Sequence, residues 1–145
     1  MGVSVYLTYD GCTREAFEFY AKAIDAKIEY VSTWDEAPNA SELSEEQRAM
    51  VMHASLKVGD TGLMASDRSH TCPGEPLVQG ENFSLCLDTK SPEQTDEWLA
   101  RVSEGGKVTV PGEDSFWGAY LAMCTDKFGI SWMFVCDSTG GQEGN

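Results

Sequence analysis

The fold is decided by residues 50–67, which read MVMHASLKVGDTGLMASD. Two runs in this stretch alternate apolar and polar side chains, as strands with one buried face do. Gly59-Asp60 lies between the two runs and is typical of a tight hairpin turn. The stretch therefore predicts a β-hairpin made of strands 50–58 and 61–67.

A strand, a helix and a second strand precede this hairpin. Val3–Tyr9 and Ala26–Trp34 are rich in β-branched and aromatic residues and alternate in polarity, which predicts strands. Between them, residues 14–24 place apolar side chains on one helical face, and Thr13 is the predicted N-cap. The order so far is β-α-β followed by the hairpin.

Two further features complete the first module, which covers about residues 3–67. The polar connection 36–50 contains Ser44-Glu45-Glu46-Gln47, a capping-box pattern that predicts a short helix. Residues 68–80 carry Pro and Gly and are predicted to link the first module to a second one.

The same order of elements restarts after the linker. Ser91-Pro92-Glu93-Gln94 is a strong helix start, with Ser91 as N-cap, and the helix is predicted to end near Ser103. The other predicted elements are strands at Asn82–Asp88, Lys107–Val110, Gly118–Cys124 and Ile130–Cys136, with a loop over Pro111–Trp117. The second module thus covers about residues 82–137, and the Gly-rich tail 138–145 is predicted to be disordered.

Weak internal similarity supports a duplication. Asp10 matches Asp88 after the first strand, Tyr20 matches Trp98 on the helix, and Asp67 matches Asp137 after the last strand. Repeats of this kind decide an architecture. We therefore predict an α+β fold of two βαβββ modules, forming one domain over residues 1–145.

Composition narrows the classes of partner. The net charge is −14, which opposes binding to nucleic acid or to an anionic membrane, and favours cationic or neutral ligands. The chain has no apolar run long enough for a membrane span and no signal-peptide pattern, so a cytoplasmic protein is expected. The 5 cysteines form no CxxC pair, and Cys86, Cys124 and Cys136 are interpreted as reduced core thiols.

Several segments together resemble the PhnB-like branch of the glyoxalase/bleomycin-resistance (vicinal oxygen chelate) superfamily. They cover nearly the whole chain, from about Val3 to Cys136, and are YLTYDGCTREAFEFY at 6–20, HASLKVGD at 53–60, LMASD at 63–67, FWG at 116–118 and DKFGISWM at 126–133. The resemblance implies two curved mixed sheets around a cavity. It also implies a homodimer with ligand sites near its interface.

Metal-dependent members of this superfamily hold a divalent ion with His, Glu or similar residues from the first and last strand of each module. The resemblance places those positions at Val5 or Tyr6, at Leu63 or Met64, at Asn82 and at Met133. Imidazole and carboxylate ligands are missing from all four. We therefore expect no metal and no other cofactor, and no glycine-rich turn marks a methyl-donor site.

His53 is the one candidate general acid or base, because its strand places it on the polar side with Ser55 and Lys57. A structural or surface histidine is the alternative. The predicted ligand pocket consists of residues from both modules: Tyr6, His53, Met64, Asn82, Ser84, Trp117, Tyr120 and Met133. For Trp117, Tyr120 and Met133 a role in the core or in a dimer interface is the alternative, and Trp132 beside them is assigned to such a role.

The sequence thus predicts a metal-independent protein that binds a small molecule. A divalent-metal-dependent lyase, isomerase or dioxygenase with a divergent site, built on His53 with Asn82 or Asp67, is the first alternative. A dimeric interaction module without a cavity is the second.

Overall fold

The structure is a computed structural model that describes residues 1–68 and 76–137. The predicted disordered tail and most of the predicted linker lie outside these residues. The chain divides into two compact units, Met1–Val78 and Gln79–Asn145, and this boundary falls within the predicted linker. We call them module 1 and module 2. That both belong to one domain stays a prediction.

Module 1 is one four-stranded mixed sheet with a helix. Its strands lie in the order β1-β4-β3-β2, with β1 parallel to β4 and the other neighbours antiparallel. The elements are β1 (Val5–Tyr9), α1 (Thr13–Ala23), β2 (Lys27–Thr33), α2 (Glu45–Ala49), β3 (Val51–Val58) and β4 (Thr61–Asp67).

Module 2 repeats this arrangement. Its strands lie in the order β5-β8-β7-β6, and β5 is parallel to β8. The elements are β5 (Leu85–Asp88), α3 (Pro92–Val102), β6 (Lys107–Asp114), β7 (Ala119–Thr125) and β8 (Ser131–Asp137). The predicted α+β fold of two βαβββ modules is confirmed.

The strand registers align the two modules residue by residue. Ala54 pairs with Ala65 in module 1, and Ala122 pairs with Phe134 in module 2. A β-bulge recurs at the same point, because β2 skips Glu29 and β6 skips Thr109 along their partner strands. Inherited irregularities of this kind support a duplication more strongly than side-chain similarity does.

This register corrects the matches made from the sequence alone. Asp67 corresponds to Cys136, one position before the predicted Asp137, because Leu63 and Trp132 occupy equivalent positions. Thr8 rather than Asp10 corresponds to Asp88. On the helices, the buried positions align Tyr20 with Leu99 rather than with Trp98.

The eleven-residue helix of each module, α1 or α3, covers one face of its own sheet. The buried face of α1 carries Phe17 and Tyr20, and it packs on β2, β3 and β4. The buried face of α3 carries Leu99 and Val102, and it packs on β6, β7 and β8. Alternate strand residues are therefore buried, and those between them form a second, more exposed face on each sheet.

Three local expectations were wrong. Thr13 is the first residue of α1 rather than its cap, and its backbone N–H and hydroxyl both donate to Asp67 Oδ1, at 3.0 and 2.7 Å. Cys86 is exposed rather than part of the core, whereas the other two predicted core thiols are buried. Strand β5 begins at Leu85, so that Asn82 precedes it.

The predicted loop at Pro111-Gly112 belongs instead to β6. Pro111 is accommodated because β6 is an edge strand with a register shift between Val110 and Glu113. A Cβ at position 112 would displace the hydrogen-bonded side chains of Tyr120 and Asp96. Among the described residues, no helix has the length and apolarity needed to cross a bilayer.

Candidate functional site

The face of the module 1 sheet that points away from α1 carries a row of side chains across all four strands. Tyr6 pairs with Met64, Met64 with Ser55, and Ser55 with Tyr30. Directly paired residues point to the same face of a sheet, so these side chains are neighbours. Together with His53 they form what we call the aromatic face.

His53 lies between the two tyrosines. Its Nδ1 is 3.0 Å from the Tyr6 hydroxyl, and its ring centroid is 5.7 Å from that of Tyr6 and 6.1 Å from that of Tyr30. When the Tyr6 hydroxyl donates to Nδ1, the imidazole proton is on Nε2. The hydrogen bond orients the ring, and in this tautomer Nε2–H is left as a donor.

The aromatic face is open to a ligand. Tyr6 is 50% exposed and Tyr30 is 53% exposed, which is unusual for rings that already contact a third ring. Exposed aromatic faces carry a negative π-surface that attracts cations and stacks with planar groups. The arrangement is thus suited to a cationic or flat neutral ligand.

The corresponding face of module 2 has a different chemistry. The register places Cys86 where module 1 has Tyr6, and Leu121 where it has His53. Met123 replaces Ser55, and Val110 replaces Tyr30. Only the methionine is kept, as Met64 and Met133. This face is apolar and rich in sulfur.

The donors at the four superfamily metal positions do not fit a hard divalent cation. By register these positions carry Tyr6, Met64, Cys86 and Met133, because Cys86 rather than Asn82 is the partner of Met133. Hard cations prefer carboxylate oxygens, and zinc prefers imidazole or several thiolates. Within residues 1–68 and 76–137, no three His, Cys, Asp or Glu side chains are placed to hold a metal ion.

Tyr6, His53 and Met64 are the predicted site residues that the structure brings together. In module 2, Trp117 is 61% exposed and forms an edge-to-face pair with Phe116. Tyr120 lies on the helix side of its sheet and donates a hydrogen bond of 2.8 Å to Asp96. Met133 lies on the opposite face, next to Met123. Trp132, which was assigned to the core, is buried.

Ser84 lines a cleft of about 620 Å³ within module 2, and Asn82 is exposed beside it without lining it. Lys107 also lines this cleft. Asp126, also in the lining, accepts hydrogen bonds from the backbone N–H groups of Phe128 and Ile130, both at 2.9 Å. The carboxylate of Asp126 is therefore occupied by the turn that it stabilises.

Three module 2 groups have shifted ionisation. Burial raises the pKa of the Cys124 thiol to about 12, and neighbouring Asp126 adds to the shift. Burial, followed by the charge of Asp88, raises the pKa of the Cys86 thiol. The hydrogen bond to Asp96 raises the pKa of Tyr120. All three are therefore protonated at neutral pH.

Tyr30 and Cys86 were not predicted as site residues. Tyr30 shares a face with His53 only because Glu29 bulges out of β2, and no local pattern predicts that bulge. Cys86 was missed because it was interpreted as a core thiol and the metal position of this strand was placed at Asn82. The available signal was the alternation of side chains in LCLD at 85–88 and WMFV at 132–135, which places Cys86 and Met133 on the same face.

This chain is similar to known proteins over almost its full length. The family model described as 3-demethylubiquinone-9 3-methyltransferase matches residues 2–135. Protein YjdN of Escherichia coli is 26% identical over 141 residues, covering 92% of this chain and 93% of its own.

Solved structures share the architecture over almost the full length. Protein PA1353 from Pseudomonas aeruginosa has a TM-score of 0.81 and 31% identity, with 94% of this chain and 98% of its own covered. The PhnB protein from Bacillus cereus has a TM-score of 0.72 and 21% identity, with 94% and 99% covered. A glyoxalase/bleomycin resistance protein/dioxygenase family enzyme from Burkholderia phytofirmans is similar in fold alone, with a TM-score of 0.62, 14% identity, and 92% and 96% covered.

Proposed function

We propose that this chain, which belongs to the PhnB-like family of the glyoxalase/bleomycin-resistance (vicinal oxygen chelate) superfamily, binds a small cationic or neutral ligand without a metal ion. The observation that carries the proposal is the contact of His53 with two half-exposed tyrosines, Tyr6 and Tyr30, on one sheet face. The description of the family model names a methyl transfer, which the proposal does not adopt.

Three properties support a cationic or neutral ligand over an anionic one. Two tyrosine rings present π-faces, and a cation over such a ring gains about 0.5–2 kcal/mol per contact. The net charge of −14 attracts cations and repels anions at long range. The two residues that lie between these rings, Met64 and Ser55, are uncharged, whereas Lys57 and its partner Lys27 lie further along the same face.

His53 can orient a bound ligand through a hydrogen bond. In the tautomer in which the Tyr6 hydroxyl donates to Nδ1, Nε2–H can donate to a carbonyl or hydroxyl oxygen of the ligand. The same imidazole is the proposed acid or base if the protein also turns its ligand over. Binding alone needs only the donor.

The proposal is tested by titration calorimetry and thermal shift with benzyltrimethylammonium, its neutral carbon isostere and benzoate. We expect the cation to bind most tightly and benzoate least. Y6L/Y30L removes both rings and is expected to weaken binding of the cation at least tenfold, whereas Tyr6→Phe keeps its ring and changes affinity less than threefold. Val110→Ala, at the module 2 position equivalent to Tyr30, is the matched control and leaves binding unchanged.

Two results would overturn the proposal. One is unchanged affinity in Y6L/Y30L with the fold intact, since binding would then lie elsewhere. The other is about one divalent metal per chain after desalting of untagged protein, because that would favour the metal-dependent lyase, isomerase or dioxygenase class. A ligand at a hundred times its Kd stabilises the native state by about 2.7 kcal/mol, so the thermal shift is measurable.

The homodimer and the cytoplasmic location expected from the sequence are part of this proposal. Light scattering after size exclusion tests the first. The second is supported by the exposed thiol of Cys86, since an unpaired exposed thiol persists in a reducing compartment.

A further inference from the structure

We infer that Cys86, Met133 and Met123 form a binding site for a soft monovalent metal ion of the Cu(I) class. These residues form a row across three strands of module 2, which we call the sulfur row. This inference is independent of the proposed ligand site, which is made of module 1 residues only.

The geometry comes from two strand ladders. Cys86 pairs with Met133 between β5 and β8, and Met133 pairs with Met123 between β8 and β7. Directly paired residues share a face, and in an antiparallel pair such as Met133 and Met123 their Cβ atoms are about 4.5–5.5 Å apart. Methionine has three rotatable side-chain bonds, so both thioethers can turn toward one ion beside the thiol.

The accessibility of the row suits an ion that enters from solvent and is then partly shielded. Cys86 is exposed, whereas Met123 and Met133 are half-buried. Leu121 and Val135 pair with each other next to the methionines on the same face. Asp88 pairs with Val135 on the same face, and Thr125 pairs with Ser131 on the other side of the methionines, so oxygen atoms as well as apolar side chains flank the row.

The donor chemistry selects the class of metal. Thiolate and thioether sulfur are soft ligands that favour Cu(I), whereas Mg²⁺, Ca²⁺ and Mn²⁺ prefer oxygen. The thiolate carries one negative charge, which compensates a monovalent ion, and the Asp88 carboxylate on the same face adds to the attraction for a cation.

Binding exchanges a proton for the metal. The Cys86 S–H bond breaks, a sulfur–metal bond forms, and one proton goes to solvent, with no change in oxidation state. Because binding releases this proton, affinity is expected to rise with pH.

Module 1 provides an internal control. Its equivalent row is Tyr6, Met64 and Ser55, with a single sulfur atom. Two further thiols, Cys12 and Cys72, are replaced by serine in the test protein, so that the measured binding depends on Cys86. Cys124 and Cys136 are buried and are retained.

The test is anaerobic titration of untagged C12S/C72S protein with Cu(I) against the chelator bicinchoninate. We expect one Cu(I) per chain, and X-ray absorption at the copper edge is expected to show about three sulfur ligands. Cys86→Ser is expected to abolish binding. M123L/M133L conserves side-chain volume and is expected to weaken affinity at least tenfold, whereas Met64→Leu leaves it unchanged.

Retention of the bound Cu(I) by Cys86→Ser would overturn the inference. Unchanged affinity in M123L/M133L would overturn it as well, because the site would then be a lone thiolate. X-ray absorption on the C12S/C72S protein decides the matter without those variants, since a single sulfur ligand contradicts the sulfur row.

Discussion

Modules 1 and 2 share a sheet order, a register and a bulge, yet they are stabilised by different buried polar groups. In module 1, Asp67 at the end of β4 accepts from Thr13 and from the backbone N–H of Val51, at 2.8 Å for the latter. The equivalent residue of module 2 is Cys136. There, Asp126 in the turn before β8 accepts from two backbone N–H groups and from the indole N–H of Trp132.

The comparison separates what the fold requires from what it tolerates. Register and alternation are kept in both modules, because a one-residue slip would turn every buried side chain of a strand to the other face. The buried carboxylate is not kept in place. In each module a carboxylate lies where it accepts hydrogen bonds from several buried donors, which would otherwise have neither a partner nor water.

The largest expected effect comes from Asp67→Ala. The change leaves the donors of Thr13 and Val51 without this acceptor, and we expect the free energy of unfolding to fall by about 3–5 kcal/mol. Chemical denaturation measures it. Hydrogen exchange should show the loss first at the amides of residues 13 and 51.

Cys136→Ala is the matched change in module 2 and is expected to cost less than half as much, because no comparable polar network is centred there. A loss of equal size in the two variants would contradict the contrast between the modules.

A smaller loss of stability is expected from the hydrogen bonds that connect α1 and α3 to the end of the first strand of their modules. The hydroxyls of Tyr9 and Tyr20 are hydrogen-bonded at 2.9 Å in module 1, and those of Thr89 and Thr95 at 2.6 Å in module 2. Tyr20→Phe and Thr95→Val each remove one buried hydroxyl, and each should lower stability by about 1–2 kcal/mol. Thermal unfolding of both variants measures this. An effect in one module alone would show that the two hydrogen bonds are not equivalent.

The smallest effect is expected at the helix N-termini. The Ser91 hydroxyl accepts from the Gln94 backbone N–H at 3.1 Å, so Ser91→Ala should cost about 1 kcal/mol. Cys12 precedes α1 and makes no side-chain capping bond, so Cys12→Ala should change stability by less than about 0.5 kcal/mol. Urea denaturation of the two variants checks this, and equal losses would contradict it.

Sequence predicted the order of elements because each depends on local patterns. Alternation located the strands, Gly59-Asp60 placed the first hairpin, and Ser91-Pro92 placed the start of α3. The predicted loop at Pro111 failed because an edge strand with a bulge tolerates proline, and edge position is a property of the whole sheet.

The candidate site was less predictable because its members meet through register. Tyr6 and His53 are 47 residues apart in sequence, and their hydrogen bond depends on how β1, β4 and β3 align. Tyr120 sits at a plausible strand position, but its hydroxyl reaches Asp96 on the helix side. The sequence indicated suitable residue types, but which of these residues are neighbours depends on the register of the paired strands.

The bulges at Glu29 and Thr109 have a consequence for how this chain can change over evolutionary time. A substitution on an exposed sheet face alters one side chain and leaves the count of residues in the strand intact. A deletion at either bulge would move the preceding part of an edge strand by one position and exchange its inner and outer residues. The number of residues in β2 and β6 is therefore under tighter selection than the types of residue on their exposed faces. Two copies of one ancestral unit can thus keep the same strand register while their surfaces diverge.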